Sequence, residues 1–172
     1  MSMTQSPSVM VVDDEEELAN LFRRILDGSG FNCVSFTDPL LALENLHKNQ
    51  CKYTLVITDF RMPGINGIEF ANEIRQHNQN VKILLLTAYF DDDRLRTKDF
   101  INADFAEVIE KPVSLKVLQS KVSELCNLLL QNSRMIVALW MILRRFRKLT
   151  CRSSYHYTFF VSYQPFSNKQ IS

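Results

Sequence analysis

Thr54-Leu55-Val56-Ile57-Thr58 is a short apolar run that stops on a carboxylate, Asp59, and continues as Phe60-Arg61-Met62-Pro63-Gly64-Ile65-Asn66-Gly67. The same arrangement recurs along the chain. Ser8 to Val12 leads into Asp13-Asp14, Lys82 to Leu86 ends at Thr87, and Ala106 to Ile109 runs to Lys111-Pro112. In an open parallel α/β sheet the carboxyl ends of the strands form one rim, and ligands bind along it. Three carboxylates, a hydroxyl and an ammonium are therefore expected on one crevice, a donor set suited to Mg²⁺ with a phosphate clamp beside it.

Helical segments separate these runs. From Glu15 to Asp27, Leu18, Leu21, Phe22, Ile25 and Leu26 fall on one helical stripe. Its start is acidic, and Gly28-Ser29-Gly30 stops it. Phe31 to Phe36 reads as a second strand, and Asp38-Pro39 supplies an N-cap and an N1 proline for a helix through about Lys48. A third helix is expected from Gly67 to about His77 with Ile68, Ala71 and Ile74 inward. A fourth is marked only by Asp91-Asp92-Asp93 before an apolar-poor stretch to Ile101, and a fifth from Ser114 carries Leu115, Leu118, Val122, Leu125 and Leu129 on one stripe. Five alternations of strand and helix imply an α/β, flavodoxin-like doubly wound parallel sheet of five strands, order 2-1-3-4-5.

Residues 8 to about 130 resemble the receiver domain of two-component response regulators. The resemblance rests on Asp13-Asp14, the segment Asp59 to Gly67, Thr87-Ala88 and Lys111-Pro112, all in order at strand ends. It implies that Asp59 is the phosphorylated nucleophile, since a carboxylate can accept a phosphoryl group as an acyl phosphate. Asp13-Asp14 alone would read as a capping pair. Beside Asp59, Thr87 and Lys111 it reads as the Mg²⁺ pair, with Asp13, Asp14, Asp59 and the Arg61 backbone carbonyl as the implied metal-binding residues. Lys111 and the Thr87 hydroxyl would each take a phosphoryl oxygen, the small Ala88 would leave the path open, and a cis bond before Pro112 would aim the ammonium inward. Arg61 and Tyr89 flank the crevice and could orient or shield the hydrolytic water. One position departs from the pattern: the aromatic residue usual three places before the lysine is Val108 here, flanked by Glu107 and Ile109.

Charge divides the 172 residues in two. Residues 1 to 131 hold 13 Lys and Arg against 19 Asp and Glu, a net −6, whereas residues 132 to 172 hold seven basic residues and no acidic one. The expected organisation is a flexible N-terminus over 1–7, a receiver over 8–131, and a basic, apolar and aromatic tail over 132–172, helical to about 148 and weakly ordered beyond. Met135 to Leu143 is apolar and precedes Arg144-Arg145-Phe146-Arg147-Lys148. That run falls short of the roughly 20 residues a bilayer span needs. A contact with the chain's own receiver, with another protein or with an anionic membrane surface fits better. No helix-turn-helix pattern is visible, so DNA binding is not expected.

Cys33, Cys51, Cys126 and Cys151 show no CxxC spacing, and His47, His77 and His156 no ligand spacing, so thiols in a reducing compartment and surface histidines are expected. Met1 to Ser8 lacks the apolar core of a signal peptide, which points to the cytoplasm. The functional expectation is a receiver-only response regulator that takes a phosphoryl group on Asp59 from a sensor histidine kinase or phosphotransfer protein. It would be a switch catalysing only its own phosphorylation and dephosphorylation, with homodimerisation as one output. A rival is a receiver-like scaffold that dimerises without phosphorylation. An aspartyl-phosphate phosphatase would need a second acid two residues after the nucleophile, where this chain has Arg61.

Overall fold

The computed structural model describes residues 6–49, 52–88 and 92–127. Five parallel strands form one sheet: β1 (Ser8–Val12), β2 (Asn32–Phe36), β3 (Leu55–Asp59), β4 (Lys82–Thr87) and β5 (Glu107–Glu110), in the order β2-β1-β3-β4-β5. The helices are α1 (Glu16–Gly28), α2 (Pro39–Lys48), α3 (Gly67–His77), α4 (Lys98–Ala103) and α5, described over 115–127. The expected doubly wound topology is therefore present.

Successive side chains of a strand point to opposite faces, and both faces are covered. Val9, Val11, Leu55, Ile57, Leu84 and Leu86 pack with Phe22 and Leu26 of α1 and Leu118 and Val122 of α5. Met10, Val12, Val56, Ile83 and Leu85 pack with Ala42 and Leu46 of α2, Phe70 and Ile74 of α3, and Ala103 of α4. Burial on both faces explains why the strands read as continuous apolar runs.

Local signals set the helix starts. The Asp38 carboxylate accepts from the Leu40 and Leu41 N–H groups, with Pro39 in the first turn. Asn66 and Glu69 close a capping box at the head of α3, each side chain satisfying the other's backbone. Gly67 is required there: a Cβ would collide with the Asp59 carbonyl oxygen and lie 2.9 Å from Leu85 Cδ1. That absence of a side chain seats α3 directly under the end of β3.

Several sequence expectations need correction. β3 runs one residue later than Thr54–Thr58 and includes Asp59, and β5 covers Glu107–Glu110 rather than Ala106–Ile109. Parallel pairing decides this, because Asp59 aligns with Leu86 and Glu110 with Thr87. In α1, Leu21 is 43% exposed while Ala19 is buried, so the inward stripe is Ala19, Phe22 and Leu26, with Leu18 packed at its edge. Leu115 is 39% exposed because it lies in the first turn of α5, before the stripe reaches the sheet. The helix expected from Asp91 begins as a 3-10 turn, Asp93–Arg96, and becomes α-helical only at Lys98, where Thr97 caps it. Leu129 lies outside the described residues, as do the boundary at 131/132 and the tail expectations.

Candidate functional site

The crevice lies where β1, β3, β4 and β5 end. Asp13 follows β1, and its backbone N–H donates to the Phe36 carbonyl at 3.1 Å. Asp59 closes β3, Thr87 closes β4, and Lys111 follows β5 with its backbone N–H donating to the Thr87 carbonyl at 2.7 Å. The Lys111–Pro112 peptide bond is cis.

Lys111 binds two carboxylates at once. Its Nζ lies 2.8 Å from Asp13 Oδ2 and 2.5 Å from Asp59 Oδ1. The other oxygens are held by backbone: the Glu15 N–H donates to Asp13 Oδ1 at 3.0 Å and the Arg61 N–H to Asp59 Oδ2 at 2.7 Å. Asp13 and Thr87 are buried, and Asp59 is 8% exposed. Burial is the largest influence on Asp13 and pushes its carboxyl above the usual range, against the pull of Lys111 and the Glu15 amide. Burial also opposes the Lys111 charge, but hydrogen bonds and attraction from Asp13 and Asp59 outweigh it and raise its pKa.

Asp14 is exposed and lines an adjoining cleft with Arg61, Met62, Pro63, Asn66 and Arg94. Ala88, also exposed, follows Thr87. Tyr89 lies outside the described residues. Among the described residues no three carboxylates, imidazoles or thiols are grouped as they stand around a point that could hold a metal ion. The donor chemistry nevertheless fits a hard divalent cation. Asp13 and Asp59 set two largely buried carboxylates against one ammonium, Asp14 adds a third at the rim, and every donor is oxygen.

Val108 is half-buried and packs on the α3/α4 face beside Phe100 and Phe105, whose ring centroids lie 5.3 Å apart. The sequence reading missed one structural support of the site and one network at the opposite end of the sheet. Gly67 carries no chemistry of its own and betrays its role only by its place after the Asp59 loop. Arg75 donates from its guanidinium to the carbonyls of Val81, Ala103 and Asp104, tying α3 to the ends of α4 and the loop before β4. No periodicity in the sequence announces that network.

The profile of the response regulator receiver domain matches residues 9–123. The chain belongs to the receiver-domain family. Among similar proteins, the regulatory protein VanRB of Enterococcus faecalis is 30% identical over 68% of this receiver chain and 51% of its own length. The cyclic di-GMP phosphodiesterase of Thermotoga maritima is 30% identical over 67% of this chain and 30% of its own. The receiver thus spans about half or less of these curated relatives. Among solved structures, the response regulator TrrA of Thermotoga maritima, in complex with Mg(2+)-BeF, is 33% identical with a TM-score of 0.59, covering 69% of this chain and 98% of that one. The signal receiver domain of a Luxo repressor protein from Vibrio parahaemolyticus, 18% identical with a TM-score of 0.67 over 76% of this chain and 98% of that one, shows the fold alone. Receiver domains act in two-component signalling, bind Mg²⁺ and interact with histidine kinases or phosphotransfer proteins. Among the described residues no helix is long and apolar enough to cross a membrane.

Proposed function

We propose that this receiver accepts a phosphoryl group on Asp59 from a sensor histidine kinase or phosphotransfer protein. One observation carries the reading: the Asp59 carboxylate stands at the strand-end rim, largely buried, with one oxygen on Lys111 Nζ and the other on the Arg61 N–H. That fixes its orientation before any donor arrives, and positioning with charge compensation is most of what phosphoryl transfer asks of a protein. An Asp59 oxygen attacks the phosphorus of a phosphohistidine. The O–P bond forms, the P–N bond breaks, and the imidazole leaves with the electron pair and gains a proton. Hydrolysis later returns the carboxylate and inorganic phosphate.

Asp13, Asp14, Asp59 and the Arg61 carbonyl are the residues that would hold Mg²⁺. When bound, the ion supplies neutralisation of charge on the phosphoryl oxygens. Lys111 and the Thr87 hydroxyl take the remaining oxygens, with Ala88 leaving the approach clear and Pro112 fixing the lysine's exit. Arg61 and Tyr89 rim the pocket. The receiver is a switch rather than a catalyst of external substrates, working in the cytoplasm as 8–131 of a chain whose tail, 132–172, directs association with a copy of itself, another protein or an anionic membrane surface. A second reading, a scaffold that dimerises without phosphorylation, draws on Val108, which lacks the ring expected at that position.

A small acyl-phosphate donor with Mg²⁺ tests the proposal. Intact-mass spectrometry should find one added phosphoryl group in the wild type and none in Asp59→Asn or without Mg²⁺. Labelling that persists in Asp59→Asn would overturn it.

A further inference from the structure

His47 and His77 stand far apart in the chain, and the fold brings them together at the end of the sheet opposite the crevice. His47 lies in the last turn of α2 and His77 closes α3, both exposed. Their ring centres are 4.5 Å apart, with an interplanar angle of 74°. The two rings border a small hollow whose other walls are Leu43, Leu46, Ile74 and Asn78. At 1.5 Å per residue, α3 carries His77 about 15 Å from the Gly67 end that abuts Asp59. The phosphoryl chemistry above uses neither histidine.

We infer that His47 and His77 form a second metal site, holding one transition-metal ion of the Zn²⁺ class between their imidazoles. The first support is spacing. Two imidazoles on one tetrahedral zinc, with Zn–N bonds of about 2.0–2.1 Å, hold their ring centres roughly 5 Å apart. The observed 4.5 Å needs only a small opening of the rings. The second support is the local field. Both α2 and α3 end here, and a helix C-terminus carries partial negative charge that favours a cation. The neighbouring side-chain cations are engaged elsewhere, Lys48 with Glu44 at 2.5 Å and Arg75 with the carbonyls of Val81, Ala103 and Asp104. The third support is preorganisation. At the end of α2, the Asn49 side chain donates to the Asn45 carbonyl at 2.9 Å, and the Tyr53 hydroxyl donates to Asn45 Oδ1 at 2.6 Å. Just past α3, Asn78 Oδ1 accepts from the Asn80 and Val81 N–H groups at 3.0 and 3.1 Å. The backbones that carry the two ligands are thus set before an ion arrives.

Imidazole suits zinc, copper and nickel, whereas Mg²⁺ takes oxygen ligands, so this site is chemically distinct from the Asp13–Asp59 rim. Among the described residues no third histidine, thiol or carboxylate joins the pair, so water fills the remaining positions. An ion shared between α2 and α3 ties the two helices together and stabilises the folded chain.

The test titrates Zn²⁺ into the full chain with Mg²⁺ in large excess, so that the oxygen site is already supplied. The imidazole ¹⁵N resonances of His47 and His77 should shift together, and the thermal midpoint should rise by a few degrees. Calorimetry should show binding weakened at least tenfold in His47→Gln and in His77→Gln. Binding should stay within twofold of wild type in His156→Gln and in Cys51→Ser. Resonances that stay still, or move for one ring alone, would overturn the site in the wild-type chain without recourse to any variant. Unaltered binding in both histidine variants, or binding lost in His156→Gln or Cys51→Ser, would overturn it equally.

Discussion

Lys111 holds two carboxylates in the resting receiver, so removing it leaves Asp13 and Asp59 facing each other without a cation. Breaking a fully buried pair costs about 3–5 kcal/mol. The Lys111 side chain keeps 17% of its surface exposed, so Lys111→Ala should cost nearer ~2 kcal/mol without metal. Added Mg²⁺ should restore part of that, read by urea unfolding with and without the ion. The raised lysine pKa also fixes a pH dependence. Its pairing contributes fully below about 10.4, the unfolded value, and is lost as pH rises through the higher folded value. Tyr53, whose burial keeps its phenol protonated, adds an alkaline loss of its own. Comparison with Lys111→Ala isolates the lysine: the variant's stability should fall less between pH 10 and 11, and an equal fall would contradict the pairing. At this scale Asp13, Asp59, Thr87 and Lys111 were legible because each side chain is polar and sits at the end of an apolar run. Arg75 was not, since bonds to carbonyls on Ala103 and Asp104, far along the chain, leave no local pattern.

The elements follow their local chemistry closely where caps and continuous apolar runs mark them, as at Asp38-Pro39 and Asn66-Gly67. They drift where tertiary pairing decides. The one-residue shifts of β3 and β5 come from register with β4, and the delayed start of α4 reflects Asp92 capping a 3-10 turn before Thr97 caps the helix. Leu21 shows the limit of a stripe read from large residues alone, because the small Ala19 takes the buried place on α1. Gly67 gives the sharpest test of an element's placement. Its missing Cβ lets α3 abut the Asp59 carbonyl, so Gly67→Ala must push helix and strand apart. Overpacking of this kind costs about 1–3 kcal/mol, and the backbone contact places this site near the top of that range. Thermal unfolding should show the loss, and phosphoryl labelling should slow with it because Asp59 moves. A variant as stable and as readily labelled as wild type would contradict the close approach.

For the whole molecule, the two cores on either side of the sheet reach as far as Cys126 among the described residues, and the receiver match ends at residue 123. Deletion after Gln131 should therefore leave a folded receiver with its melting temperature within a few degrees of the full chain and its labelling intact. A collapse in stability would mean that residues beyond 131 belong to the fold. The central claim concerns a single carboxylate, and chemical trapping tests it most directly. Borohydride reduces an aspartyl phosphate to homoserine. After incubation with an acyl-phosphate donor and Mg²⁺, reduction and peptide mapping should place homoserine at position 59 and at no other aspartate. Homoserine at Asp13 or Asp14, or none anywhere in a protein that had gained phosphoryl mass, would contradict it.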